Sequence, residues 1–233
     1  MELEQSGVLN DIQFGEIIEH LHNKFRSKGF VVKQGFDFHS YKEICKKRKG
    51  RLYSYHFDED KLDLYDGNSF YLVVLDGKQK LIGTIASFKD CMNTTTIAQL
   101  FDKRYTRLYG GATGKRHAPS AHRISGNVAY MGDLWIRPKV QSAGLGIALS
   151  SMATIIALRK FQPDYIYGLV KPALMDKGGV HNAGYNHLEM QSIDWVEDPI
   201  DFDNDFWLVS SDFAYLNYYA GRLLDQIPRN GSW

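Results

Sequence analysis

The residues best placed to do chemistry lie in one short run, Gln141-Ser142-Ala143-Gly144-Leu145-Gly146-Ile147. Before it comes a β-rich stretch over about 128–136 that ends at Arg137-Pro138. After it, small and apolar residues continue at helical spacing to about residue 158. A strand that feeds a glycine-containing loop into a helix leaves backbone N–H groups unpaired at the positive end of the helix dipole, which is a seat for phosphate. Glycines there let the backbone approach the ligand, because no Cβ holds it away. The run lacks the Gly-Lys-Ser/Thr ending of a P-loop and the third glycine of a dinucleotide fingerprint, so neither nucleotide class fits.

The wider pattern is Leu134-x-Ile136-x-Pro138, two residues, then Gln141-x-x-Gly144-x-Gly146. It resembles motif A of the GNAT superfamily of N-acetyltransferases, Gln/Arg-x-x-Gly-x-Gly/Ala after that family's fourth strand. The resemblance implies an α/β (α+β) fold with a mixed, mostly antiparallel sheet, flanked by helices and splayed between the family's strands 4 and 5. It implies acetyl-CoA as the acyl donor, its pyrophosphate held by Gln141 and the amides of Ser142, Ala143, Gly144, Leu145, Gly146 and Ile147. A bulge near Leu134, Trp135 and Ile136 would offer backbone N–H groups to the pantetheine and to the thioester oxygen as charge develops. The acceptor so implied is a primary amine that attacks the thioester directly.

Three side chains are candidates for moving protons. Asp133 lies where many family members carry a carboxylate base, and it would need a raised pKa or a water relay to act near neutral pH. The alternative is a strand carboxylate that meets the acceptor or solvent. The family's closing signature, Tyr-x-x-x-Gly-Phe, has as its nearest equivalent Val180-His181-Asn182-Ala183-Gly184-Tyr185, so valine stands where the acid tyrosine is expected. His181 or Tyr185 substitutes, or no side chain is needed; His181 reads equally well as a helix-end histidine.

Several elements must position these groups. Apolar spacing predicts a helix over 12–28, a strand over 30–38 and a short helix over 41–49 that ends in the basic run Lys46-Lys47-Arg48-Lys49, read as a solvated helix end. Strands over 70–75 and 81–88 meet across Asp76-Gly77, a hairpin signal. Residues 90–126 form an insertion, helical over 96–105 and flexible over Gly110-Gly111-Ala112-Thr113-Gly114. It carries Lys103, Arg104, Arg107, Lys115, Arg116 and Arg123, which fit a lid, a contact for the 3′-phosphate of coenzyme A, or a solvated loop. Strands follow over 165–170, 188–195 and 206–210, the last two joined by an acidic connection that suits a cationic acceptor or serves as a polar loop. A tyrosine-rich helix over 213–227 packs on the core or on a second subunit as a homodimer. The whole, 1–233, reads as one domain with an N-terminal helical portion over about 1–50.

Composition sets the outer limits. Lysine plus arginine number 28 against 27 acidic residues, so net charge gives no pull toward nucleic acid or anionic membrane. Two cysteines, Cys45 and Cys91, make no disulfide framework and no zinc motif. The acidic run 201–212 has Phe206 and Asp212 where a calcium loop needs glycine and glutamate, so no metal is expected. No signal peptide or anchor is expected at the N-terminus, which implies a cytoplasmic protein. The rival functions are N-acyl transfer from a longer acyl-CoA or an acyl carrier protein, an acyl-CoA-binding module without turnover, and a nucleic-acid-directed protein.

Overall fold

The computed structural model describes residues 9–48, 53–175, 179–200 and 202–228. Helix α1 (Asp11–Arg26) starts in a capping box between Asn10 and Gln13 and buries Phe14, Ile17, Leu21 and Phe25, one face at helical spacing. Strand β1 (Phe30–Gly35) stops short of the expected 38, because Asp37 caps helix α2 (Phe38–Cys45) by accepting from the amides of His39 and Ser40. Helix α2 therefore begins three residues earlier than its apolar spacing indicates. Lys49 lies outside the described residues.

Strands β2 (Ser69–Asp76) and β3 (Leu81–Met92) form the expected hairpin. Its turn is not a two-residue Asp-Gly turn. Asp76 Oδ1 accepts from the amides of Lys78 and Lys80, and Gln79, not Gly77, takes the left-handed conformation. The insertion is folded: α3 (Ile97–Leu100), a π-turn (Phe101–Tyr105) and α4 (Thr106–Tyr109) run continuously. The stretch read as flexible pairs instead, as β4 (Ala112–Thr113) against β8 (Trp195–Glu197).

Strand β5 (Gly126–Ile136) leads through a 3-10 turn (Pro138–Ala143) into α5 (Leu145–Phe161). Twelve of the 17 residues of α5 are buried, because sheet covers one side and α1 the other. The helix ends at Gln162, left-handed, with its N–H on the Leu158 carbonyl. Then come β6 (Tyr165–Val170), the short helices α6 (Pro172–Met175) and α7 (Gly179–Asn182), β7 (His187–Glu189), β8, β9 (Trp207–Asp212) and α8 (Phe213–Asp225). The single strand expected over 188–195 is split in this way, with its two ends in different sheets.

The main sheet has seven strands in the order β1-β2-β3-β5-β6-β9-β7. All neighbours are antiparallel except β5 and β6, which are parallel. One face carries α1, α5 and α8 over a core that includes Phe25, Leu72, Met131, Ile166 and Val209. The other carries α2 and the insertion over Phe38, Tyr41, Phe57, Phe101 and Tyr167. No helix among the described residues is long and apolar enough to cross a membrane.

Candidate functional site

Two irregularities in β5 build the site. The first is where it leaves β6: their ladder covers Val128–Tyr130 against Tyr165–Tyr167 and then stops, so the strands diverge toward their C-terminal ends. Gly168 is the first residue of β6 past the split. A Cβ there would stand 3.0 Å from the Met131 carbonyl oxygen and 3.4 Å from the Tyr185 hydroxyl, so glycine keeps the base of the opening clear.

The second is a bulge. Thr84 pairs with Trp135 and Ala86 with Gly132, which leaves Asp133 and Leu134 opposite Ile85 alone. Asp133 has φ +60°, the left-handed region that aspartate tolerates better than most residues. The extra residue inverts the alternation of the strand. Ala129 and Met131 face α5, whereas Asp133 and Trp135 face α2. The bulge lies one position N-terminal to the stretch in which it was expected.

Asp133 is buried and bound on several sides. Its Oδ1 lies 2.9 Å from Arg48 Nη1, with both side chains excluded from solvent. Tyr41 donates to Oδ2 at 2.7 Å and the Cys45 thiol approaches it at 3.7 Å. Thr84 Oγ1 donates to the Asp133 carbonyl and accepts from Arg48 Nη1. Burial, then the Asp133 charge, pushes the Cys45 thiol up to about 12 and raises the Tyr41 hydroxyl well above its usual value, so both remain protonated donors. The carboxylate is thus neither solvated nor unpaired. Tyr41 was not singled out from sequence, and Arg48, read there as part of a solvated helix end, is instead buried against Asp133. The signal was present, since Phe38, Tyr41, Cys45 and Arg48 share one helical face while Lys46 and Lys47 point outward.

The loop residues lie together at the head of α5. Gly144 is left-handed at φ +69° and a Cβ on it would meet nothing within 4 Å, so the space beside it is open. Gln141 turns back, its Nε2 donating to the Ile136 carbonyl at 3.1 Å, which ties the loop to the end of β5. Leu145 is buried and anchors the first turn, Gly146 and Ile147 are half-buried, and Ser142 and Ala143 contribute backbone to the turn. Of the three strand residues, Leu134 is half-buried and Trp135 and Ile136 are buried on opposite faces.

His181 and Tyr185 lie on the α5 side, across the sheet from the Asp133 side chain. His181 is exposed on α7. Its Nδ1 lies 3.1 Å from the Tyr185 carbonyl, an acceptor only, so Nδ1 carries the proton and Nε2 is left to accept. Tyr185 is buried, its hydroxyl beside Gly168, and burial raises its pKa. Val180 is buried in the core and carries no hydroxyl.

On the α2 face the insertion covers the sheet beside the bulge. Arg104 forms a two-pronged ion pair with Asp90 at 2.6 and 2.7 Å and is not available to a ligand. His117 accepts from the Asp194 amide through Nδ1, so its Nε2–H donates to Asp102. The insertion packs on the sheet face opposite α5. In the acidic connection Asp203 pairs with Lys171 and Asp198 accepts from Asn204; Asp201 lies outside the described residues.

Beneath the insertion His56 is buried against the rings of Tyr105 and Tyr130, at 4.4 and 4.9 Å, with Nδ1 2.9 Å from the Tyr109 hydroxyl. Burial, reinforced by the Arg104 charge, lowers its pKa from 6.5 to about 3. Between those values the unfolded chain binds a proton that the folded chain refuses. Stability therefore falls as pH drops through that window, by up to about 1.4 kcal/mol per pH unit. Urea unfolding at pH 7 and pH 5 should show this fall, and His56→Phe should flatten it; equal slopes in the two proteins would exclude His56 as the source.

Among the described residues no group of three or more histidine, cysteine, aspartate or glutamate side chains is placed to hold a metal ion. No protein-family model and no curated protein sequence matches the chain. Solved structures do resemble it. Arabidopsis thaliana NAA60 in complex with acetyl-CoA is 11% identical, with 78% of this chain and 98% of that one covered, at a TM-score of 0.49. Mutant forms of the spermidine/spermine N-acetyltransferase SpeG from Vibrio cholerae are 14% identical over 82% and 98%, at 0.46. The ribosomal-protein-S18-alanine N-acetyltransferase from Escherichia coli is 10% identical over 79% and 94%, at 0.44. The one parallel pair in a mostly antiparallel sheet and the split after Tyr130 and Tyr167 match the splayed, mixed sheet that the motif's resemblance implies.

Proposed function

We propose that the chain is an N-acetyltransferase that moves an acetyl group from acetyl-CoA to a primary amine. The observation that carries this reading is the conjunction in β5 of a split from β6, a bulge at Asp133-Leu134 and a glycine-headed helix directly after it. In this reading the pyrophosphate rests on the amides at the head of α5. The pantetheine arm enters the gap that β6 leaves beside β5, and the bulge turns backbone dipoles toward the thioester oxygen. An amine arriving from the α2 face attacks the carbonyl carbon; the C–S bond breaks, and the nitrogen's proton ends on the sulfur. Holding both reactants in one cleft supplies much of the acceleration.

Roles follow from placement. Tyr185, protonated because it is buried, donates a hydrogen bond to the departing thiolate at the base of the split. His181 borders the donor side. Asp133 serves either as the base or as the clamp that holds the bulge in shape, and the Arg48 pair favours the clamp. Tyr185→Phe should lower kcat about a hundredfold with acetyl-CoA affinity unchanged; an unaltered kcat would remove Tyr185 from the mechanism. The reading as a whole is tested by calorimetric titration with acetyl-CoA and by thiol release across a panel of primary amines. Absence of donor binding would refute it.

A further inference from the structure

On the α2 face, beneath the insertion, an aromatic cluster holds three buried polar atoms with no hydrogen-bond partner among the described residues: His56 Nε2, the Tyr105 hydroxyl and the Tyr167 hydroxyl. His56 comes from a 3-10 turn (Tyr55–Phe57), Tyr105 from the insertion and Tyr167 from β6, and each residue is 1% exposed or less. The two hydroxyls are neighbours but not in hydrogen-bonding geometry with each other. An unmet buried polar group costs stability, so three in one cluster, from three separate elements, point to a polar guest. Tyr130 links them, its ring 4.9 Å from His56 and 5.1 Å from Tyr167. Tyr130 and Tyr167 are the last paired residues before β5 and β6 part, so the cluster sits at the root of the split, on the face assigned above to the amine.

Shape and charge set the kind of guest. Phe202, half-buried on the connection between β8 and β9, lays its ring against the cluster, 4.5 Å from Tyr109, 5.8 Å from Tyr105 and 6.3 Å from His56. A flat ring therefore fits this seat from outside. The lining is uncharged: burial and the Arg104 charge hold His56 at about 3, and burial raises both tyrosines. Two carboxylates act on the cluster, Asp90 on Tyr167 and Asp133 on Tyr109, and each is already held by a guanidinium, Arg104 and Arg48. An ammonium ion would thus meet no free carboxylate in this cluster among the described residues, either to pair with or to take its proton. A lysine-like amine, with a pKa of about 10.4, is uncharged in only about one molecule in 2,500 at pH 7. An amine bonded directly to an aromatic ring is uncharged there already, because the ring delocalises its lone pair, and it enters without the cost of burying a charge.

We propose that the acceptor is a weakly basic aromatic amine, whose ring takes the seat that Phe202 fills and whose polar substituents bond to His56, Tyr105 and Tyr167. The inference rests on the acetyl-transfer reading above and names its acceptor class. The neutral nitrogen's lone pair forms the N–C bond, the C–S bond breaks, and one N–H proton passes to the sulfur, so no carboxylate base is called for.

The test is thiol release from acetyl-CoA at pH 7 with four amines that separate ring from charge. They are 4-aminophenol (aromatic, uncharged), benzylamine (aromatic, cationic), methoxyamine (no ring, uncharged) and 1,5-diaminopentane (no ring, cationic). The kcat/KM for 4-aminophenol should exceed that for each of the others by about tenfold or more. Tyr105→Phe/Tyr167→Phe should raise KM for 4-aminophenol about tenfold, the worth of one or two buried hydrogen bonds, with acetyl-CoA affinity retained. The same variant should resist urea at least as well as wild type, because it deletes two unmet polar groups; hydroxyls with a purely structural role would instead lose stability and leave KM unmoved. Preference for any of the other three amines overturns the proposal, as does an unchanged KM in the double variant. Failure of wild type to bind acetyl-CoA overturns the donor reading and this inference with it. Donor binding without turnover of 4-aminophenol overturns this inference alone.

Discussion

Arg48→Met is expected to lower the unfolding free energy by about 3–5 kcal/mol, because it leaves the Asp133 carboxylate buried without its counter-charge. The pair is fully shielded from solvent, so water cannot take over for the missing guanidinium. Tyr41 and Cys45 still donate to Oδ2, but two neutral donors do not replace a cation at 2.9 Å. Adding Asp133→Asn to Arg48→Met should return much of the loss, since it removes the stranded charge while asparagine accepts the left-handed backbone that the bulge requires. Denaturant unfolding of the two singles and the double measures the cycle. If Arg48→Met costs under about 1 kcal/mol, the pair is not what holds the α2 segment on the bulge.

The same cycle separates the two readings of Asp133. Asp133→Asn alone leaves Arg48 unpaired and confounds lost chemistry with lost structure. In the restabilised double variant the comparison is clean. A general base that has been removed lowers kcat by about 10²–10⁴. A clamp whose geometry has been restored lets kcat recover alongside stability.

Gly144→Glu is expected to abolish donor binding, with affinity for acetyl-CoA falling more than about a hundredfold. Sterics alone do not cause this, because a Cβ at position 144 meets nothing within 4 Å. The glutamate would place a carboxylate where the helix dipole and free amides favour a phosphate, and like charges in one seat oppose each other strongly. The backbone at φ +69° adds about 1–2 kcal/mol of strain, which lowers stability without unfolding the chain. Gly144→Asn is the control, since asparagine tolerates this conformation and brings no charge. It should keep most of the affinity. If glutamate binds acetyl-CoA as well as asparagine does, the head of α5 is not the pyrophosphate site.

Sequence alone was sufficient for what is local. The motif-A loop, the β2–β3 hairpin, and helices α1 and α5 follow from periodicity, capping and glycine placement, all of which act over a few residues. The resemblance supplied the mixed, mostly antiparallel sheet and its splay. Boundaries shifted where a side chain intervened, as when Asp37 capped α2 early and Gln79 took the turn position expected of Gly77.

Tertiary structure alone decided what depends on contacts between distant segments. Alternation along β5 would send Asp133 to the α5 side with Met131, and one extra residue in the bulge reverses that. Strand periodicity carries no mark of such an insertion, because the partner strand that defines it, β3, lies some fifty positions earlier in the chain. Tyr41 reaches Asp133 across 92 residues, and Arg48 reads as one more surface cation until α2 is placed over the sheet. His56, Tyr105, Tyr167 and Phe202 stand far apart in the chain, and only the packing of the insertion and the β8–β9 connection over the sheet brings them into one cluster.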